Sequence, residues 1–454
     1  MSTNTILEKY QKTFSKNRDF AQQADHIFPD GVTHDNRHTD PFPIYINRAQ
    51  GSKKWTVDEI ELIDYWSGHG ALLLGHSPPE IVEAVTQQMP LGTHYGACHA
   101  LEVEWGSLVK ELIPSAERIR FVNSGTEATL MAIRLSRMYT GKNKFLKFAG
   151  HFHGWHDSVI LGVNPPFETP VPGIPESIID TTVICQPNDI DAVEKHLKSD
   201  PDIACVILEP TGGAFGTIPT NGEFLRQLRQ ITQDYGVILI FDEVISGFRV
   251  SPGGAQGYYN IMPDLTTLAK ILAGGLPGGA VAGKEELVNL ISIKAAKSNA
   301  GGQRMPHPGT FNANPLSAAA GIAMLKRIKT GIPHEMVNRS AKMLRDGLVD
   351  VIDQHKLDWA VYGEFSGVKF LIGHGVDGVR AADFDPYNWD YRQLKGGSNP
   401  VLTMNLRCGM LLNGIDIAGN GGMTTAAHSD EEIQQTIAAF DQTIGWMKAD
   451  GLLD

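Results

Sequence analysis

Three short segments of this 454-residue chain place reactive side chains where an apolar run meets a Gly-rich or Ser-rich turn. In residues 121–128 (FVNSGTEA) two apolar residues lead to Ser124, Gly125 and Thr126, with a helix expected from about Thr126. The first turn of a helix has backbone N–H groups without partners and a partial positive charge, and a glycine there lets a ligand approach the backbone. With hydroxyls beside it, the segment can cup a phosphate. The same residues also fit a plain capping box, with Ser124 or Thr126 as the N-cap and an acidic residue behind it. In residues 239–248 (LIFDEVISGF) an apolar strand delivers Asp242 and Glu243 at its C-terminal end. A carboxylate buried there needs a cationic or protonated partner. A pyridinium nitrogen is one such partner, kept protonated by Asp242 so that its ring accepts electrons. Capping of the next helix by Asp242, or a metal held by the Asp-Glu pair, are the other uses. In residues 263–279 (PDLTTLAKILAGGLPGG) Lys270 sits among Leu268, Ala269, Ile271 and Leu272, ahead of a Gly-rich turn. Such a lysine either snorkels to the surface or is held where its amine sheds a proton and can form a Schiff base.

Short apolar runs alternating with helical stretches must position these segments. Residues 118–122, 144–148, 203–208 and 237–241 are expected as buried parallel strands, and 127–139, 190–198 and 222–235 as the helices between them. This alternation predicts an α/β domain with a mainly parallel sheet covered on both faces, its ligand at the strand ends. Residues 6–25 have the period of one amphipathic helix, while 43–47 and 53–64 alternate as a short antiparallel sheet. Beyond Ala318 come a helix, mixed strands and a last helix from Ser429 to about Ala449. The expected organisation is an N-terminal segment over 1–65 that joins the small domain, a large domain over 66–325, and a C-terminal small α+β domain over 326–454. Residues 162–174 (GVNPPFETPVPGI) are too many for a tight connection and form either an active-site lid or a surface excursion.

The bulk composition narrows the functional classes. Basic residues number 39 against 51 acidic ones, a net charge of −12, with no Lys/Arg run, which speaks against nucleic acid or an anionic membrane as partner. The four cysteines, Cys98, Cys185, Cys205 and Cys408, make no CxxC pair, and the 16 histidines make no HExxH, so neither a disulfide framework nor a metal site is expected. The polar start lacks an apolar signal core and no apolar run approaches eighteen residues; the expectation is a cytoplasmic enzyme that spans no membrane.

Taken together, the phosphate cup, the strand-end aspartate and the embedded lysine resemble the class III aminotransferases of pyridoxal-phosphate fold type I, in the branch of glutamate-1-semialdehyde aminomutase. The resemblance runs from PDGVTHDNR (29–37) to TTAAHSDEEI (424–433), and its most specific stretches are VNSGTEATLMAIRLSRMYTGKNKFLKF, FDEVISGFRVSPGGAQGYY and PDLTTLAKILAGGLPGG. SGHGALLLGH, HFHGWHD, GEFSG and GIDIAG are similar to the D-phenylglycine aminotransferases within that branch. It implies pyridoxal 5′-phosphate as cofactor, with Ser124, Gly125 and Thr126 on the phosphate and Lys270 holding the Schiff base. It further implies Asp242 on the pyridine nitrogen, Phe152 stacked on the ring where tyrosine is commoner, Val244 on the opposite face, and Glu209 beside the cofactor. Thr310, in HPGTFNANP, matches the threonine that reaches the phosphate of a neighbouring subunit, which implies a homodimer with composite sites. Arg37 matches a substrate-carboxylate arginine, a task that suits a planar, permanently charged guanidinium; without the resemblance it would read as a surface or interface ion pair. Asn420, in IAGNGG, departs from the charged residues of the branch and speaks against a 2-oxoglutarate acceptor and against the aminomutase. The expected activity is transfer of an amino group between an amino acid, D- or aromatic ones included, or an amine, and a keto acid. An intramolecular aminomutase or a racemase on the same scaffold is the alternative.

Overall fold

The computed structural model describes residues 5–298, 302–373 and 379–453. At its centre is a seven-stranded sheet in the order Arg118–Val122, Gly279–Gly283, Leu265–Ala269, Ile238–Glu243, Ile203–Leu208, Lys144–Phe148 and Thr182–Cys185. Neighbours run parallel except on either side of Gly279–Gly283, which is reversed. Ile203–Leu208 and Ile238–Glu243 are buried along their whole length, as continuous apolar runs in a doubly covered sheet should be. Arg118–Val122 corrects the expectation of a buried parallel strand: it forms the sheet edge, antiparallel to Gly279–Gly283, with Arg118 and Arg120 in solvent. Exposed charge on an edge strand discourages pairing with another chain.

Alternation along the strands sorts the two faces. Phe145, Ile207 and Ile240 pack toward the helix Gly125–Thr140, whose buried Ala128, Met131, Ala132 and Leu135 recur at helical spacing. Leu146, Leu208 and Phe241 face Val193, Leu225 and Leu228 of the helices Ile190–Ser199 and Gly222–Asp234. A separate cluster unites the two ends of the chain, bringing Ile6, Tyr10 and Leu62 against Leu348, Leu406 and Phe440. The single helix expected over 6–25 is two, Thr5–Thr13 and Ser15–Asp25, broken at Phe14, which is buried against Tyr10 with ring centroids 4.9 Å apart.

The N-terminal strands Ile46–Gln50, Lys53–Thr56 and Glu61–Asp64 pair antiparallel as expected, and Ile415–Asp416 adds a parallel fourth strand from the far end of the chain. Lys54 bridges Asp64 and Asp416, and Arg407 also meets Asp416, so buried ion pairs pin this junction. A third sheet contains Trp359–Tyr362, Gly367–Ile372 and Gly421–Met423. The 162–174 stretch lies on the helix Tyr391–Gly396: Phe167 stacks on Tyr391 at 5.5 Å and Glu168 pairs with Arg392 at 2.8 Å. No helix among the described residues is long and apolar enough to cross a membrane.

Candidate active site

Asp242 is the penultimate residue of Ile238–Glu243, and Thr267 of Leu265–Ala269 is its direct partner in the parallel register. Thr267 Oγ1 donates to Asp242 Oδ1 at 3.0 Å, the Val244 N–H donates to the same oxygen at 3.1 Å, and His153 Nδ1 donates to Oδ2 at 2.7 Å. The carboxylate is 3% exposed, so three donors fix its plane inside the protein. The adjacent Glu243 points to the other face, where Ser246, Gln256 and the Ala255 N–H satisfy it. The two acids are thus on opposite sides of the strand and cannot grip one metal ion between them.

Lys270 follows Leu265–Ala269 and opens the short turn Lys270–Ala273. Its backbone is left-handed, φ +54°, a conformation that costs a non-glycine residue roughly 1–3 kcal/mol and clusters at functional sites. Burial pushes its amine down to about 8, against the opposing pull of Asp242 and Glu209 and with a small push from Arg249. Among the described residues the amine makes no hydrogen bond, so its donors and lone pair are free for a ligand. The surface-snorkelling alternative does not hold.

Ser124 is the N-cap of Gly125–Thr140, accepting the Glu127 N–H at 3.2 Å, while Glu127 reaches back to the Asn123 N–H at 2.7 Å. The capping reading is therefore realised, and it aims the helix start at the strand ends. A Cβ on Gly125 would lie 2.8 Å from both methyls of Val244, so only glycine lets the helix start sit beside Asp242's strand. On the other side a Cβ on Gly154 would meet Thr126 Oγ1 at 2.6 Å, which brings the loop bearing Phe152 and His153 against the same helix start. The Phe152 ring is 48% exposed and free to face a bound ring system.

Glu209 follows Ile203–Leu208 and is 6% exposed. Its Oε1 accepts the N–H groups of Phe152 and Ala214, both at 2.9 Å, and its Oε2 that of Phe215 at 3.1 Å. It therefore splints two loops beside Asp242.

Arg37 is exposed, in the turn Asp35–Arg37, and Nη1 donates to Thr33 Oγ1 at 2.8 Å; among the described residues it meets no acid. Its link to Lys270 runs through two histidines. His34, at the head of that turn, stacks on His69 at 4.8 Å and 17°. Burial first, then the charges of His34, Arg37 and Lys270, push His69 down to about 4. His69 sits in Ser67–Gly70, four residues with φ of +49°, +57°, +55° and +84°. Asp64 accepts the Trp66 and Ser67 N–H groups at one end of this strained turn, and the buried Arg249 donates to Gly70 O at 3.0 Å at the other. Thr310 stands in an exposed loop apart from these contacts.

Ser124, Gly125, Thr126, Asp242, Val244, Phe152, Glu209 and Lys270 are thus brought together by contact or charge. Thr267, His153 and His69 were missed. Strand pairing reveals Thr267, which no local pattern signals; HFHGWH placed His153 beside a residue already singled out.

A sheet with reactive groups at its strand ends, a cupped helix start and a depressed amine left without a hydrogen bond among the described residues define a class of cofactor-dependent enzymes, and comparison with known proteins names it. Residues 34–368 match the family described as aminotransferase class-III, and the chain belongs to that family. It is 44% identical over 364 residues to a glutamate-1-semialdehyde 2,1-aminomutase of Sulfolobus acidocaldarius, covering 79% of this chain and 84% of the relative. To the enzyme of that name from Sulfurisphaera tokodaii it is 39% identical over 412 residues, covering 89% and 93%. An omega-transaminase from Sphaerobacter thermophilus superposes with a TM-score of 0.86 at 29% identity, covering 97% of this chain and 99% of that one. The fold is that of the fold type I transferases, and the protein is a pyridoxal 5′-phosphate enzyme. The side chains present suit that cofactor: an amine for its aldehyde, a buried carboxylate for its ring nitrogen, and a helix start for its phosphate.

Proposed function

We propose that this enzyme moves an amino group on a carboxylate-bearing substrate, with Lys270 as the covalent anchor and proton carrier. The observation that carries this reading is the half-buried, depressed amine of Lys270 lying within the field of a fixed Asp242. When bound, the cofactor supplies an electron sink for the pair released as the bond from Cα to hydrogen breaks. Lys270 would hold the cofactor covalently, and its amine, once freed by a substrate amine, would be the group that takes the Cα proton and returns it elsewhere. Asp242 would keep the ring nitrogen protonated, with Thr267 and His153 keeping Asp242 oriented. Ser124, Gly125 and Thr126 would hold the phosphate, and Phe152 and Val244 would flank the ring. Arg37 takes a substrate carboxylate.

Intramolecular transfer is the better supported of two reactions, since the curated relatives named above are 2,1-aminomutases at 39% and 44% identity. This reverses the preference drawn from the sequence, where neutral Asn420 told against an aminomutase. Transfer between two molecules is the second reading, favoured by Asn420 and by the similarity to the omega-transaminase. Adding keto acids to the amine-charged enzyme separates them: a mutase leaves the visible spectrum unchanged, and an aminotransferase restores the aldehyde form. Absence of both a spectral response to amino substrates and of isomerisation of an amino aldehyde would remove the whole proposal. Thr310, matched to the family's threonine, serves the site of a second copy, and a solution mass of a single chain would remove that assignment.

Arg37 has its own test. Arg37→Ala is expected to raise KM for carboxylated substrates and lower kcat/KM about ten- to a hundredfold, while simple amines change little. Equal loss on both would make Arg37 a support for the fold.

A further inference from the structure

Three buried or half-buried lysines beyond Lys270 gather around Glu209. Lys147, Lys369 and Lys395 all feel its charge, and among the described residues it is the single acid that offsets Lys369 or Lys395. Yet among the described residues no lysine hydrogen-bonds to Glu209, whose oxygens are taken by the backbone of Phe152, Ala214 and Phe215. Lys147 is internally satisfied, donating to Val159 O at 2.6 Å and Leu161 O at 2.7 Å. The other two are not. Lys369 makes one bond, to Ala214 O at 2.9 Å, and Lys395 makes no hydrogen bond or ion pair among the described residues.

A third unspent donor lies beside them. His151 is 1% exposed, and its Nδ1 accepts the Glu209 N–H at 3.1 Å. A neutral imidazole then carries its hydrogen on Nε2, which is buried and has no acceptor. Burial first, then the charges of His153, Lys147 and Lys395, hold this ring neutral. Among the described residues Ala214 O, taken by Lys369, is the one acceptor these three donors have, and leaving such groups unpaired in the interior is costly.

We propose that Lys369, Lys395 and the Nε2–H of His151 form a subsite for a substrate carboxylate remote from the carbon that reacts at Lys270. The two lysines come from the C-terminal third, on Gly367–Ile372 and Tyr391–Gly396, and His151 and Glu209 from the large sheet's strand ends. Lys369 is tied to Glu209 through Ala214, whose carbonyl takes its Nζ and whose N–H meets Glu209 Oε1, and His151 accepts the Glu209 N–H. The same Oε1 takes the Phe152 N–H of the loop that carries His153 onto Asp242, so the subsite adjoins the site of Lys270. Burial holds the Lys369 amine at about 8, and an arriving carboxylate would restore its charge. The placement also accounts for Asn420. Its neighbour Gly421 is the register partner of Lys369, so a cation stands on the adjacent strand where residue 420 supplies none.

This inference deepens the amino-transfer reading and rests on it for the word substrate; the binding itself is tested without turnover. Calorimetry on the holoenzyme in chloride-free buffer should show glutarate binding about ten- to a hundredfold tighter than pentanoate, which lacks the second carboxylate. Lys395→Met should reduce that advantage to less than about threefold, and Lys395→Arg should keep most of it. Equal binding of the two acids, or an advantage that survives Lys395→Met, overturns the subsite. Chloride binding that Lys395→Met abolishes while glutarate affinity is unaffected by chloride also overturns it, by giving these residues to an inorganic anion instead of a substrate group. Should neither 2-oxoglutarate nor 2-oxopentanoate restore the aldehyde spectrum and no isomerisation occur, the amino-transfer reading fails. A glutarate preference that persisted there would leave the anion subsite standing.

Discussion

Lys270, which follows the strand Leu265–Ala269, and Lys147, in Lys144–Phe148 with two strands between, belong to one sheet and are both held far below the usual lysine range, and the structure uses them oppositely. Lys147 is fully buried in mid-strand and pushed down to about 7, lower than Lys270 at about 8. Desolvation is the first cause for both. If a depressed amine were enough for reactivity, Lys147 would be the better nucleophile. Two carbonyls fix its Nζ and no surface reaches it. Lys270 stands at a strand end on a left-handed residue, half-buried, with no hydrogen bond among the described residues. What separates an anchor from a structural strut is access and unspent valence, and the low pKa is shared by both.

The largest expected effect breaks that comparison outright. Borohydride reduction of the holoenzyme followed by peptide mapping should place the cofactor on Lys270, and Lys270→Ala should lose activity by about a thousandfold or more and retain no covalent label. A label on Lys147, Lys369 or Lys395 in either protein would show that burial outranks access. Asp242→Asn is expected next, with a loss of about 10^2- to 10^3-fold in kcat. The amide oxygen can still accept from Thr267 and Val244, and its NH2 can face His153, so the melting temperature should hold while the charge is gone. A parallel fall in melting temperature and in kcat would make Asp242 a structural cap.

The parts that were legible in the sequence were those set by local periodicity. Ile203–Leu208 and the helix from Gly125 are where alternation and capping put them, because a continuous apolar run and a Ser-x-x-Glu pattern act over a few residues. Phe14 and Arg118–Val122 were misread because their states are decided at long range: a ring drawn into a cluster with the chain's far end, and a reversed strand that claims the neighbouring position. At the site, Lys270, Asp242 and Ser124 lie in compact motifs. Thr267 became a partner of Asp242 only through strand register, and Lys369, Lys395 and His151 only through the packing of the C-terminal third against the sheet. Polar residues that matter by convergence leave no spacing to read.

The smallest expected effect is on Lys147, and it is a matter of stability. Its folded pKa of about 7 lies below the ordinary lysine value of about 10.5. Between those two pH values the unfolded chain binds a proton that the folded one does not, so this lysine favours unfolding increasingly as pH falls from about 10.5 toward about 7, and below that its penalty is constant. Wild-type stability should therefore gain with pH across that window relative to Lys147→Met, whose side chain does not titrate. The methionine also leaves the Val159 and Leu161 carbonyls without their donor, a cost of roughly 1–3 kcal/mol at any pH. The melting temperature of Lys147→Met should thus lie below that of the wild type at pH 9 and approach it at pH 7, with the borohydride label still on Lys270. Were the gap the same at both values, Lys147 would be charged in the folded protein at pH 9. It would then need an anion, and its likeness to Lys270 would be lost.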